Sequence, residues 1–81
     1  MDLEISGNVL IKHINYKDCE KCDMVEKLFT ENQMQFATII CDKRMFGAIS
    51  KKSKSMNVPQ VFVNGEFIGG HDEFSKLIDN L

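Results

Sequence analysis

Apolar residues gather first in Val9-Leu10-Ile11-Lys12-His13-Ile14, a short run that reads as a strand central in a sheet. From Cys19 to Gln33 the period changes. Cys22, Val25, Leu28 and Phe29 recur at helical spacing while Glu26, Lys27 and Glu31 fall outward, which predicts an amphipathic helix. Phe36 to Cys41 is apolar and β-branched and predicts a second strand. A strand, a helix and a strand in this order make a β-α-β unit with parallel strands and a right-handed crossover. Asp42 then offers an N-cap for a second helix with Met45, Phe46 and Ile49 inward, a pattern weakened by Gly47 and three serines. Val61-Phe62-Val63, Asn64-Gly65 and Glu66-Phe67-Ile68 form a hairpin signature, because Asn-Gly supplies the two positive-φ residues of a type I′ turn. After Gly69-Gly70, the residues Phe74, Leu77, Ile78 and Leu81 repeat at i, i+3, i+4 and i+7 and predict a last helix. The predicted order is β-α-β-α-β-β-α, an α/β fold without internal repeat or linker.

With 81 residues the chain is expected to form a single domain over 1–81, with 1–7 as an N-terminal extension. Apolar residues make up 43% and charged residues 27%, the balance of an ordinary soluble globular protein. No apolar run reaches the roughly 18 residues that span a bilayer, and Met1-Asp2-Leu3-Glu4 lacks the basic region of a signal peptide. A cytoplasmic protein without a membrane partner is therefore expected. Three cysteines fit a reducing compartment better than a secreted disulfide framework. A net charge of −2 argues against nucleic-acid binding. Charge is unevenly placed, however: from Lys43 to Gly65 there are five bases (Lys43, Arg44, Lys51, Lys52, Lys54) and no acid. This stretch reads either as a solvated helix face or as a local positive field that draws in a small anionic substrate.

The chemistry-bearing feature is Asp18-Cys19-Glu20-Lys21-Cys22-Asp23, placed between the first strand and the first helix. A thiol at the first turn of a helix faces unpaired N–H groups and the positive end of the macrodipole, which favour thiolate. A second thiol three residues on lies one turn along the same face, within reach of a mixed disulfide formed on the first. Cys22 also reads as a small hydrophobe on the core face of its helix, and Cys41 as buried packing.

A Cys-x-x-Cys after the first strand of a β-α-β unit followed by a ββα unit resembles the thioredoxin fold, and the small size resembles a glutaredoxin. Val58-Pro59-Gln60-Val61-Phe62-Val63 is similar to the Val-Pro segment entering the third strand of that family. Gly69-Gly70-His71-Asp72 is similar to its Gly-Gly-x-Asp motif at the last helix, so the resemblance spans about residues 8 to 81. It implies a four-stranded mixed sheet flanked by three helices, Cys19 as nucleophile, Cys22 as resolving thiol and a redox-active Cys19–Cys22 disulfide. It further implies a cis Val58–Pro59 bond and a glutathione site at Val58, Pro59, Gly70, His71 and Asp72, with Asp72 meeting the ammonium group of the tripeptide. Read without the family, Pro59 is a trans residue opening a strand and Asp72 a plain N-cap. Lys17 resembles the lysine that pairs with the glycyl carboxylate of glutathione, and Tyr16 borders the same site. The sequence departs from the family at Glu20-Lys21, where many dithiol members carry Pro-Tyr. Glu20 opposes the thiolate, while Lys17 and Lys21 favour it.

The resemblance implies a monomeric thiol–disulfide oxidoreductase that acts on protein disulfides or glutathione mixed disulfides, with glutathione as co-substrate and ribonucleotide reductase as one candidate partner. Two other readings stand beside it. One is a redoxin fed by a thioredoxin reductase; the other is an iron–sulfur module with glutathione as ligand. After Cys19 and Cys22 the chain has only Cys41, His13 and His71 as further soft ligands, none at zinc spacing, so no resident metal is expected.

Overall fold

The computed structural model describes residues 5–15 and 18–80. Its elements are β1 (Val9–His13), α1 (Glu20–Glu31), β2 (Ala37–Cys41), α2 (Lys43–Ser53), β3 (Gln60–Val63), β4 (Glu66–Gly69) and α3 (His71–Asp79), the order read from the hydrophobic pattern. The strands form one sheet in the order β2-β1-β3-β4, with β1 and β2 parallel and the β1–β3 and β3–β4 pairs antiparallel.

Alternation along β1 explains the layering. Val9 and Ile11 face one side, where Cys41, Phe46, Ile49 and Phe62 complete a cluster under α2. Leu10 faces the other side and packs with Val25, Phe29, Val61 and Phe74 under α1 and α3. The sheet is thus covered on both faces, which accounts for the near-continuous apolar run in its central strand.

Asn64 and Gly65 both take positive φ, 53° and 79°, and join β3 to β4 as the Asn-Gly pattern predicts. A Cβ on Gly65 would lie 2.9 Å from the Ile5 carbonyl oxygen, so the turn needs glycine for space as well as for φ. Residues 5–7, expected as part of an extension, lie against this hairpin: Ile5 packs on the core and the Gly65 N–H donates to the Gly7 carbonyl at 2.9 Å. Asp42 caps α2 as expected, its Oδ1 accepting from the Met45 N–H at 2.8 Å.

Four boundaries of β1, β2 and α1 differ from the sequence reading. The first strand ends at His13, and Ile14 is 58% exposed. The second strand opens at Ala37 rather than Phe36. The first helix begins at Glu20, with Cys19 as its cap, and stops at Glu31 instead of Gln33. Gln33 adopts φ 58°, and the Gln33 and Met34 N–H groups turn back to the Thr30 and Phe29 carbonyls, closing the helix in a Schellman arrangement.

Candidate active site

Cys19 is the N-cap of α1, and its Sγ accepts the Cys22 backbone N–H at 3.2 Å. This is the contact a sulfur at a helix N-terminus is placed to make. The two cysteines are joined as a disulfide across a Cα–Cα separation of 5.2 Å. Cys19 is half-buried whereas Cys22 is fully buried, so solvent reaches the first sulfur and the core holds the second. The first turn of α1 carries Glu20 and Asp23, both exposed.

Val58–Pro59 is a cis peptide, as the family resemblance implied and against the trans reading of an isolated proline. It enters β3 directly before Gln60. Gly70 backs onto it closely enough that a Cβ there would sit 3.5 Å from the Pro59 carbonyl oxygen. Gly70 is also the N-cap of α3, which corrects the reading of Asp72 as a cap; Asp72 is the second residue of the helix. Glycine has no side chain with which to cap, so the first-turn N–H groups meet no side chain from Gly70. Glu73 reaches back instead, its Oε1 accepting the Gly70 N–H at 3.0 Å.

Lys21 links the two halves of the site. Its Nζ lies 3.9 Å from Asp72 Oδ2, an exposed pair that joins the turn between the cysteines to the start of α3. His71 is largely sheltered from solvent. Its side chain is only 15% exposed, and its Nδ1 lies 3.1 Å from Asp72 Oδ1. The hydrogen bond to His71 and, after it, the charge of Lys21 hold the Asp72 carboxyl below its ordinary value of 3.8. Asp72 is therefore a carboxylate throughout the neutral range.

Cys41 lies in the core beneath α2, and burial followed by the nearby Asp42 charge pushes its thiol above the ordinary value of 9.0. The bases of the 43–65 stretch are solvent-exposed, in keeping with a solvated helix face. Tyr16 and Lys17 lie outside the described residues. Among the described residues no group of three or more His, Cys, Asp or Glu side chains is arranged to hold a metal ion, and no helix is long and apolar enough to cross a membrane.

Sequence reasoning did not find the Lys21–Asp72 pair or the Glu73 bond. The latter had a signal, since an acid three residues after the cap is the capping-box spacing. Lys21 and Asp72 carried none, because no short-range periodicity relates residues on different helices.

The sequence matches the glutaredoxin family profile over residues 9–68. Mitochondrial glutaredoxin-2 of the mouse (Mus musculus) is 31% identical over 78 residues, covering 90% of this chain and 49% of that protein. The human protein of the same name is 33% identical over 64 residues, covering 73% of this chain and 39% of that protein. The chain spans about half the length of the curated relatives it matches, or less. Among solved structures, a buckwheat glutaredoxin–glutathione complex superposes with a TM-score of 0.76 at 26% identity, over 93% of this chain and 71% of that one. A wheat glutaredoxin superposes with a TM-score of 0.78 at 28% identity over the same shares. With the profile matched over most of its length, the chain belongs to the glutaredoxin family.

Proposed function

We propose that the protein is a thiol–disulfide oxidoreductase that uses glutathione to reduce protein disulfides or glutathione mixed disulfides. The observation that carries this reading is the asymmetry of the cysteine pair, with Cys19 capping α1 and half-buried while Cys22 is sealed in the core. The Cys19 thiolate attacks one sulfur of the substrate disulfide, that S–S bond breaks, and the other sulfur leaves as a thiolate. Cys22, as thiolate, then attacks the Cys19 sulfur, releasing the second substrate thiol and forming the Cys19–Cys22 disulfide. Two glutathione thiols reduce that bond in turn and leave as glutathione disulfide. A mixed disulfide of glutathione is resolved by a second glutathione without Cys22.

The glutathione site of this reading runs along Val58 and Pro59 to Gly70, His71 and Asp72, with Lys17 and Tyr16 beyond. The packing of Gly70 against Pro59 and the carboxylate of Asp72 support it. An extended backbone beside Val58 would find peptide groups without a hydrogen bond among the described residues. An ammonium group would find Asp72, and a carboxylate the first-turn N–H groups of α3. The setting proposed is a monomer in the cytosol, and a free thiol at Cys41 favours a reducing compartment. Ribonucleotide reductase remains a candidate protein substrate on family grounds alone.

Reduction of a small glutathione mixed disulfide, coupled to glutathione reductase, tests the proposal. Wild type and Cys22→Ser are expected to turn over and Cys19→Ser to be inactive. Activity in Cys19→Ser would exclude this mechanism. Turnover only with a thioredoxin reductase would keep the dithiol chemistry but replace glutathione as reductant.

A further inference from the structure

Lys21 stands where the field of its own helix disfavours it. It is the second residue of α1, and a cation in the first turn faces the positive end of the macrodipole, an end that its neighbours Glu20 and Asp23 suit. The charge is answered from another helix. α1 and α3 pack on one face of the sheet through Val25, Phe29 and Phe74, their first turns come together, and Lys21 Nζ lies 3.9 Å from Asp72 Oδ2.

Both oxygens of that carboxylate are thereby engaged. Oδ1 lies 3.1 Å from Nδ1 of the sheltered His71, while Oδ2 faces Lys21, whose side chain is 60% exposed. Lys76, one turn along α3, acts on the Asp72 carboxyl less than either. An ammonium group arriving from solvent at Oδ2 therefore meets a charge that is already neutralised, and two cations cannot share one oxygen without repulsion. Of the two partners, His71 adjoins Asp72 in the chain and is shielded, whereas Lys21 is exposed, more distant and carried on a flexible stem, so Lys21 is the one that gives way. Binding of an ammonium then exchanges one cation for another. Exposed ion pairs are individually weak, and such an exchange yields less than either pair alone. A ligand without the ammonium leaves Lys21 in place and forgoes little.

We propose that Lys21 sets the specificity of this site, as a counter-ion that a ligand's ammonium must displace from Asp72, so that cysteinyl peptides lacking that amine are accepted within a few-fold of glutathione. This rests on the glutathione reading of the site, but it is measurable without any redox step. Two probes suffice: S-methylglutathione, and the same molecule with a glutaryl group in place of the γ-glutamyl residue, which lacks only the amine. The methylated sulfur prevents exchange with the Cys19–Cys22 disulfide. Dissociation constants come from amide shift titrations of the oxidised protein by NMR. Wild type is expected to prefer S-methylglutathione by about 2- to 5-fold, the range of one exposed ion pair. Lys21→Met is expected to widen that preference at least a further threefold, and Lys21→Arg to keep the wild-type value. In an Asp72→Asn background, Lys21→Met should leave the preference unchanged within about 1.5-fold. An unchanged preference in Lys21→Met would overturn the proposal. Equal widening with and without the Asp72 carboxylate would do so too, since it would show a charge acting at a distance rather than competition for one oxygen. Failure of S-methylglutathione to bind wild type would remove the glutathione site and the proposal together. Glutathione-dependent turnover with no widening would remove the role of Lys21 and leave the oxidoreductase reading standing, whereas widening without turnover would do the reverse.

Discussion

Gln60 is fully buried one residue after the cis bond, and its amide ties the chain entering β3 to the end of α2. Nε2 donates to the Ser55 carbonyl at 2.8 Å and to Ser50 Oγ at 3.4 Å, while Oε1 has no hydrogen-bond partner among the described residues. The donor is therefore the useful half of this side chain. Gln60→Glu replaces it with an oxygen facing the Ser55 carbonyl, and an unpaired buried charge is expected to lower stability by about 3 kcal/mol or more at neutral pH. Urea unfolding should show part of that loss recovered in acid, where the protonated carboxyl donates again. Asp72 is the opposite case, an exposed carboxylate whose loss removes a solvent-screened attraction. Asp72→Asn is expected to raise KM for a glutathione mixed disulfide only about 2- to 5-fold, with kcat unchanged. Its pKa is depressed in the folded protein, so the contribution is complete above 3.8 and fades only as pH falls through the lower folded value. A wild-type KM profile that changed between neutral pH and 4.5 while Asp72→Asn stayed flat would contradict this.

The way each element ends decides how much of it could be read in advance. Asn64-Gly65 announces the hairpin because the residues that favour positive φ are the residues present. Asp42 announces α2 by the same logic, since its side chain and the Met45 N–H meet as the pattern requires. The end of α1 was not legible. The left-handed position after it is filled by Gln33, which gives no sign that the helix must stop there. That choice leaves stability unused. A non-glycine residue in the left-handed region carries roughly 1–2 kcal/mol of strain, partly offset by the greater freedom of glycine in the unfolded chain. Gln33→Gly is accordingly expected to stabilise the protein by about 0.5–1 kcal/mol, read as a higher midpoint in urea with an unchanged slope.

At the scale of the molecule the fold was legible because β1 alternates between two half-cores, Val9 and Ile11 on one side and Leu10 on the other, and the helices supply matching faces. The cysteine pair was legible because three residues of spacing are local. The closure of the site was not, because Lys21 meets Asp72, and Gly70 meets Pro59, only once the sheet is assembled. A domain of this size has on the order of 4–12 kcal/mol of stability, so both half-cores are needed at once. Phe29 tests that interdependence: it is fully buried, stacked on Phe36 at 4.8 Å and tilted against Phe74 at 4.5 Å, on the face away from Cys41. Phe29→Ala is expected to lose about 3–5 kcal/mol. With Cys19 and Cys22 oxidised, Cys41 is the free thiol, and an alkylating reagent reaches it only when the chain opens. If the half-cores open together, Phe29→Ala should speed Cys41 alkylation by roughly a hundredfold to several thousandfold, although the two residues lie on opposite faces of the sheet. The pH dependence has a definite sign. The Cys41 pKa is raised by folding, so its part of the stability is intact below the ordinary thiol value of 9.0. Above that value the unfolded chain releases the proton first, and stability falls as pH rises. Alkylation unaffected by Phe29→Ala, with unfolding on its own face confirmed by hydrogen exchange, would mean that the two faces open independently.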